Sequence, residues 1–212
     1  YDDEYKKKAS FKKLGLFIDR LFRRNIDKYV DYIFTPSVTE GKKIFDIPIL
    51  RFDNGVDPGI ITKRKISKKE DNKIGLIGVA NLSSWHGYDR IIEGLFQYYK
   101  QNREVQVVFN IVGKGKELEN LKALAKKLNM NKYIIFHGYK SGVDLDEIYD
   151  NSDIGIASLA AHRINIKNFS SLKSREYCLK SLPFVTLKDK DKDFGSDFLY
   201  KFEVKDCEGP IE

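Results

Sequence analysis

Three charged side chains crowd the first half of one short stretch, SSLKSREYCLKSLPF, residues 170–184. Periodicity predicts a helix over 171–181, turning Leu172, Tyr177, Leu179 and Leu182 toward a core. Lys173, Arg175 and Glu176 then fall in its first turns. Two chemistries fit them. Pairing on a solvated helix face would contribute little. Alternatively, a helix start opened by Ser170 and Ser171 offers free backbone N–H groups and a positive dipole end, which suit phosphate. Lys173 and Arg175 add full charges there, and Glu176 can accept two hydroxyl hydrogens, as a carboxylate does from a ribose diol. Residue types in this pattern suit a nucleoside diphosphate.

The elements that must position these groups show in the pattern from residue 73 onward. KIGLIGVA (73–80), VQVVFNIVGKG (105–115), YIIFHGY (133–139), DIGIASL (153–159) and PFVTLK (183–188) are short apolar runs, and FLYKFEV (198–204) is a further strand candidate. Helical patterns lie between them at 87–102, 116–130, 145–152 and 171–181. Such alternation predicts an α/β, Rossmann-like doubly wound parallel sheet. Ligands of such sheets bind outside the carboxyl ends of the strands. Those ends carry NLSSWHG (81–87), GKG (113–115), HGYKSG (137–142) and the loop AAHRINIKNFS (160–170). The glycines allow a close backbone approach to a ligand, although a strand often ends in such a turn.

Residues 9–30 predict a basic amphipathic helix, suited either to an anionic membrane surface or to packing on its own domain. A short strand (31–37), an extended run (43–59) and the charged loop ITKRKISKKEDNK (61–73) follow. The chain has 212 residues, a net charge of +7 and two cysteines. The charge permits a phosphate-rich partner, but no nucleic-acid module is visible and acids interleave with the bases. The cysteines form no disulfide framework and point to a reducing compartment. Neither a membrane span nor a signal peptide is apparent. His86, His137 and His162 are scattered, so no metal site is expected. DKDKD (189–193) has Asp-x-Asp spacings but reads better as a solvated turn. The chain starts at Tyr1 and is read as a fragment or a trimmed chain.

Six segments in order resemble the donor-binding half of a GT-B glycosyltransferase, in particular glycosyltransferase family 4. They are NGVD (54–57), GVANLSSWHGYDRIIEGL (78–95), FNIVGKGKELENL (109–121), IIFHGY (134–139), EIYDNSDIGIAS (147–158) and LKSREYCLKSLPFV (172–185). The resemblance implies the C-terminal half of a GT-B fold at 54–212, preceded at 1–53 by the tail of an acceptor domain. It implies transfer of a sugar from a nucleotide sugar to a glycan or lipid-linked acceptor, with retention, no metal and no cofactor, the donor being a substrate. It places Glu176 on the ribose hydroxyls, the Ser171 and Leu172 N–H groups on the pyrophosphate, and Gly113, Lys114 and Tyr139 near the base. Where the family has an arginine and a lysine in its first loop, this chain has Asn81 and His86. Where the family has an earlier glutamate near the sugar, it has Asn168. Lys173 is the candidate replacement for the lost charge, with His86 as a hydrogen-bond donor and Arg163 as a further donor contact. His86 and Arg163 also read as an ordinary helix-start residue and a solvated loop cation. A non-catalytic nucleotide- or sugar-binding module on the same fold is the alternative. The implied setting is polysaccharide or lipopolysaccharide assembly, in the cytoplasm at the inner face of the membrane, and this fragment alone is expected to be inactive.

Overall fold

A computed structural model of the chain describes residues 10–23, 25–35, 43–65, 71–166, 171–188, 194 and 198–211. The chain divides into two compact units, Tyr1–Asp53 and Asn54–Glu212.

In the first unit, α1 (Ser10–Arg23) precedes a small sheet of β1 (Ile33–Thr35), β2 (Lys43–Ile44) and β3 (Ile47–Arg51), in the order β1-β3-β2. The helix is shorter than the predicted 9–30 and gives way to a 3-10 turn at Ile26–Lys28. Strand β3 buries Ile47 and Ile49 and exposes Pro48 and Leu50, the period-two pattern of a half-covered strand. The run predicted as extended is in fact a tight hairpin. Phe45 (φ 52°) and Asp46 (φ 62°) both adopt the left-handed conformation that joins β2 to β3. Phe-Asp lacks the Asn-Gly signature of such turns, so the sequence did not show it.

The second unit holds β4 (Lys73–Val79), α2 (Tyr88–Lys100), β5 (Gln106–Val112), α3 (Leu118–Lys127), β6 (Ile134–Gly138), α4 (Val143–Asp150), β7 (Ile154–Ile156), α5 (Leu172–Leu179), β8 (Phe184–Leu187) and β9 (Lys201–Val204). The six strands form one sheet in the order β6-β5-β4-β7-β8-β9, each pair parallel. This is the predicted Rossmann-like doubly wound sheet. The chain runs outward from β4 in one direction and from β7 in the other, so their carboxyl ends form the topological switch point, where such folds bind ligands.

The sheet is covered by two cores. One joins Ile91, Ile92 and Leu95 of α2 and Leu121 of α3 to Phe109, Ile111, Ile134 and Ile156. The other joins Tyr149 of α4 and Tyr177 of α5 to Ile77, Val112 and Phe184. Two strand glycines make room for buried tyrosines. A Cβ on Gly78 would lie 2.6 Å from the Tyr88 ring, and one on Gly155 2.6 Å from the Tyr177 ring.

Gly113, at the end of β5, has a different constraint. Its φ is 127°, and a Cβ there would lie 1.8 Å from the Ala80 carbonyl oxygen. The neighbouring strand's loop is held this close by hydrogen bonds from Ala80 N–H to Val112 O (3.0 Å) and from Leu82 N–H to Lys114 O (2.7 Å). Gly113→Ala is therefore expected to cost more than about 3 kcal/mol of unfolding free energy in urea titrations, through backbone collision and strain. A loss below about 1 kcal/mol would show that this contact does not require glycine.

Candidate functional site

The loops that leave β4 and β7 are stitched together at the switch point. Leu159 N–H donates to His86 O (3.0 Å), and Ala160 N–H donates to Trp85 O (3.1 Å). Strand β7 stops after three residues, and its chain continues into the loop that meets the loop after β4. The β4–β7 ladder ends at Ile77 and Gly155. Beyond it the Tyr177 hydroxyl takes over, donating to Ile156 O (3.0 Å) and accepting from Val79 N–H (3.5 Å). That side chain ties α5 to both strands and sets where the helix begins.

A cavity of about 250 Å³ lies at this start of α5. Trp85, Ala161, Ile164, Ile166 and Leu172 give it apolar walls, and Asn54, Ser158, Ser171 and Lys173 give it polar groups. Ser171 caps the helix, its Oγ accepting from Ser174 N–H at 3.3 Å. The N–H groups of Leu172 and Lys173 occupy the first two helical positions, which have no partner within a helix.

Lys173 is half-buried as a residue, but its Nζ is shut away from solvent with no hydrogen-bond partner among the described residues. The nearest group of note is the face of Tyr88, its centroid 5.5 Å from Nζ. Burial lowers the amine's pKa to about 7. His86 stands close by and is held near 3, first by burial and then by the Lys173 charge. Its Nδ1 accepts Ser83 N–H at 3.0 Å, so the neutral ring carries its hydrogen on Nε2. The site thus holds one titratable cation, one fixed neutral donor and a helix start: an anion site.

Glu176 lies one helical turn beyond Leu172 and Lys173, on the same face of α5. Its Oε1 accepts the Tyr149 hydroxyl at 3.0 Å. Burial, reinforced by Tyr177 and Glu176, pushes that phenol far above its ordinary pKa, so it remains a donor. The carboxylate is held by one oxygen, and the other is available to accept hydroxyl hydrogens. Lys180 braces Tyr149 from behind, with Nζ 4.6 Å from the ring centroid and 2.6 Å from Asp146.

Residues 60–161 match the family model described as glycosyl transferases, group 1. Over that segment the chain is similar to the group 1 glycosyltransferases. Solved structures agree on the fold. HepE of Anabaena, in complex with UDP and glucose, shares 17% identity over 82% of this chain and 48% of its own, with a TM-score of 0.58. A glycosyltransferase from Rickettsia africae shares 14% over 94% of this chain and 68% of its own, with a TM-score of 0.59. A mutant of S. aureus TarM, bound to fondaparinux, alpha-GlcNAc-glycerol and UDP, shares 14% over 88% of this chain and 36% of its own, with a TM-score of 0.62. The chain therefore spans about half the length of HepE, at 48%. No curated protein matches it significantly.

Within the second unit, the residues singled out in the sequence separate into groups. Lys173, Ser171 and Leu172 line the one cavity, His86 adjoins Lys173, and Glu176 follows on the same helix. Lys114, Tyr139 and Asn81 are exposed at the carboxyl ends of β5, β6 and β4. Gly113, placed near the base by the resemblance, packs closely on the Ala80 backbone, and its N–H donates to Gly138 O at 2.7 Å. Arg163 is engaged in internal pairs. Its guanidinium reaches Asp89 through two bonds (2.9 and 2.8 Å), Ser84 O (2.9 Å) and both oxygens of Glu208, which uses all its donors inside the protein. Asn168, the Ser170 end of the loop and DKDKD (189–193) lie outside the described residues. Among the described residues, no group of three or more His, Cys, Asp or Glu could hold a metal ion, and no helix is long and apolar enough to cross a membrane.

The sequence reading missed Tyr149, Tyr177, Ser158 and the walls at Ala161, Ile164 and Ile166. Tyr149 had a signal of sorts: it sits in EIYDNS, one of the motifs quoted above. Nothing in sequence links it to a glutamate 27 residues away.

Proposed function

We propose that the unit at 54–212 binds a nucleoside-diphosphate sugar, and that the whole protein transfers the sugar to a glycan or lipid-linked acceptor. The observation that carries this reading is the buried Lys173 ammonium at the start of α5, without a hydrogen-bond partner among the described residues, one turn from the held carboxylate of Glu176. An isolated buried cation is costly unless an anion pairs with it. A diphosphate supplies that anion, across the Leu172 and Lys173 N–H groups. Glu176 then takes the ribose diol through its free oxygen.

As the bond from sugar to diphosphate breaks, negative charge grows on the departing phosphate. Lys173 and the Nε2–H of His86 are placed to stabilise it, the main catalytic contribution such a site makes. Lys173 brings the charge that family members hold on their first loop, where this chain has Asn81 and His86. Retention and metal independence rest on the family resemblance. So do the assignment of 1–53 to an acceptor domain and a role in polysaccharide or lipopolysaccharide assembly. A place at the cytoplasmic face of a membrane is supported by α1, whose Phe17, Ile18, Leu21 and Phe22 are exposed beside Arg20.

A second reading, a nucleotide-binding module without transfer, is favoured by the commitment of Arg163 to internal pairs and by the neutral Asn81. Calorimetric titration with UDP, GDP and NADH, with turnover of the nucleotide sugars followed alongside, separates the two. The 212-residue chain is expected to bind a nucleoside diphosphate and not NADH, and to transfer sugar poorly by itself. Binding of no nucleoside diphosphate would overturn the central reading. Robust transfer by the chain alone would overturn the expectation that it needs the rest of the protein.

A further inference from the structure

Both ring nitrogens of His162 face carboxylates. Nδ1 lies 2.6 Å from Asp206 Oδ1, and Nε2 lies 2.9 Å from Glu208 Oε1. An ionised carboxylate only accepts, and a neutral imidazole has a single N–H. A neutral ring would therefore set a lone pair against one of the two oxygens, and only the imidazolium satisfies both.

The surroundings make this a joint between chain segments. His162 N–H also donates to Asp206 (3.1 Å), and Arg163 ties Glu208 to Asp89 at the start of α2. From the other side, Arg90 of α2 donates to Gly209 O at 2.9 Å and to Leu159 O. The end of the segment is fastened by Ile211 N–H donating to Arg90 O at 3.2 Å. Residues 205–211 thus lie across the loop that supplies Ala161, Ile164 and Ile166 to the cavity wall. The charged groups on the joint are Lys205, Asp206 and Glu208 from the segment, Asp89 and Arg90 from α2, and Arg163 beside the ring. The ring itself faces only carboxylates, Asp206 and Glu208.

We propose that residues 205–211 act as a pH-sensitive strap, which holds the cavity wall at 160–166 when His162 is protonated. Hydrogen bonds to Asp206 and then Glu208 raise the His162 pKa above its ordinary value. In the unfolded chain the ring titrates near about 6.5. The strap's contribution is therefore complete below that pH and is lost as pH rises through the higher folded value.

Hydrogen exchange of the nucleotide-free chain at pH 6.0 and pH 8.5, corrected for intrinsic rates, tests this directly. Peptides covering 160–166 and 205–211 are expected to exchange about three- to tenfold faster at pH 8.5 relative to β5, as the strap's hold on the wall is lost. His162→Gln and, independently, Glu208→Gln should each flatten that difference. No pH difference in the wild type, or one that persists in both variants, would overturn the strap. The wider consequence, control of the donor pocket, rests on the nucleotide-binding reading, and UDP titration of the same samples keeps the two apart. Exchange that responds to pH in a chain that binds no UDP sustains the strap and sinks that reading; UDP binding with exchange indifferent to pH does the reverse.

Discussion

Lys173→Met is expected to weaken UDP binding by about 10- to 100-fold at pH 7, the range of a lost charge-assisted hydrogen bond. The same substitution should stabilise the chain without ligand by about 1–2 kcal/mol, because an unpartnered buried cation gives way to an apolar side chain of similar length. Opposite signs in binding and stability are the signature of a group held for a ligand, whereas a merely structural lysine would lose both together. The pH dependence sharpens the test. The amine's pKa is about 7 in the folded protein, so above that value the free site must take up a proton to greet the diphosphate. UDP affinity should then fall by about tenfold per pH unit. The unfolded chain keeps the lysine proton to about pH 10.4. It therefore holds more protons than the folded chain between pH 7 and that value, and stability contributed by this group rises with pH across the window. Calorimetry and urea denaturation across pH, on wild type and variant, read both trends. An unchanged UDP affinity in Lys173→Met would remove Lys173 from the site.

Glu176→Gln should weaken UDP binding about tenfold and abolish selectivity for the ribose diol. The wild-type chain is expected to prefer UDP over 2′-deoxyuridine diphosphate by about tenfold or more, the worth of one hydrogen bond to a charged acceptor. In the variant the ratio should fall to within about threefold. Glutamine keeps an oxygen for the Tyr149 hydroxyl, which donates to Glu176 Oε1 at 3.0 Å. The helix should therefore stay in place, whereas alanine would leave a buried phenol unpaired. Tyr149→Phe, which frees the carboxylate without removing it, should cost UDP about three- to fivefold and leave most of the preference for the diol. A Glu176→Gln chain that still discriminates the two nucleotides would show that the carboxylate meets something other than the ribose.

Much of the second unit was legible because its elements are local patterns. Apolar runs such as KIGLIGVA and VQVVFNIV can only be buried strands, and amphipathic stretches separate them at lengths that demand parallel crossovers. The cluster of Ser171, Leu172, Lys173 and Glu176 was legible for the same reason, since one helix carries it. The first unit was read less well. Its hairpin turns on Phe45 and Asp46; Asp tolerates positive φ but Phe does not, so the conformation at Phe45 is one that local propensity does not favour. The surroundings of Arg163 and Gly113 were not legible because their partners are remote in sequence. Glu208 lies 45 residues from Arg163, and Ala80 lies on another strand's loop from Gly113.

The amino-acid order by itself determined the alternation of strands and helices, the helix that begins at Ser171, and the charges placed on its first turns. These depend on hydrophobic period and capping, which act over a few residues. Only the tertiary structure decided what each charge is for. It buried the Lys173 ammonium with no hydrogen-bond partner among the described residues, used every donor of Arg163 in an internal joint, and brought a tyrosine from α4 to hold Glu176. The physical reason is that the energy of a charge depends on desolvation and on the geometry of its neighbours, and both arise only when segments distant in the chain pack together.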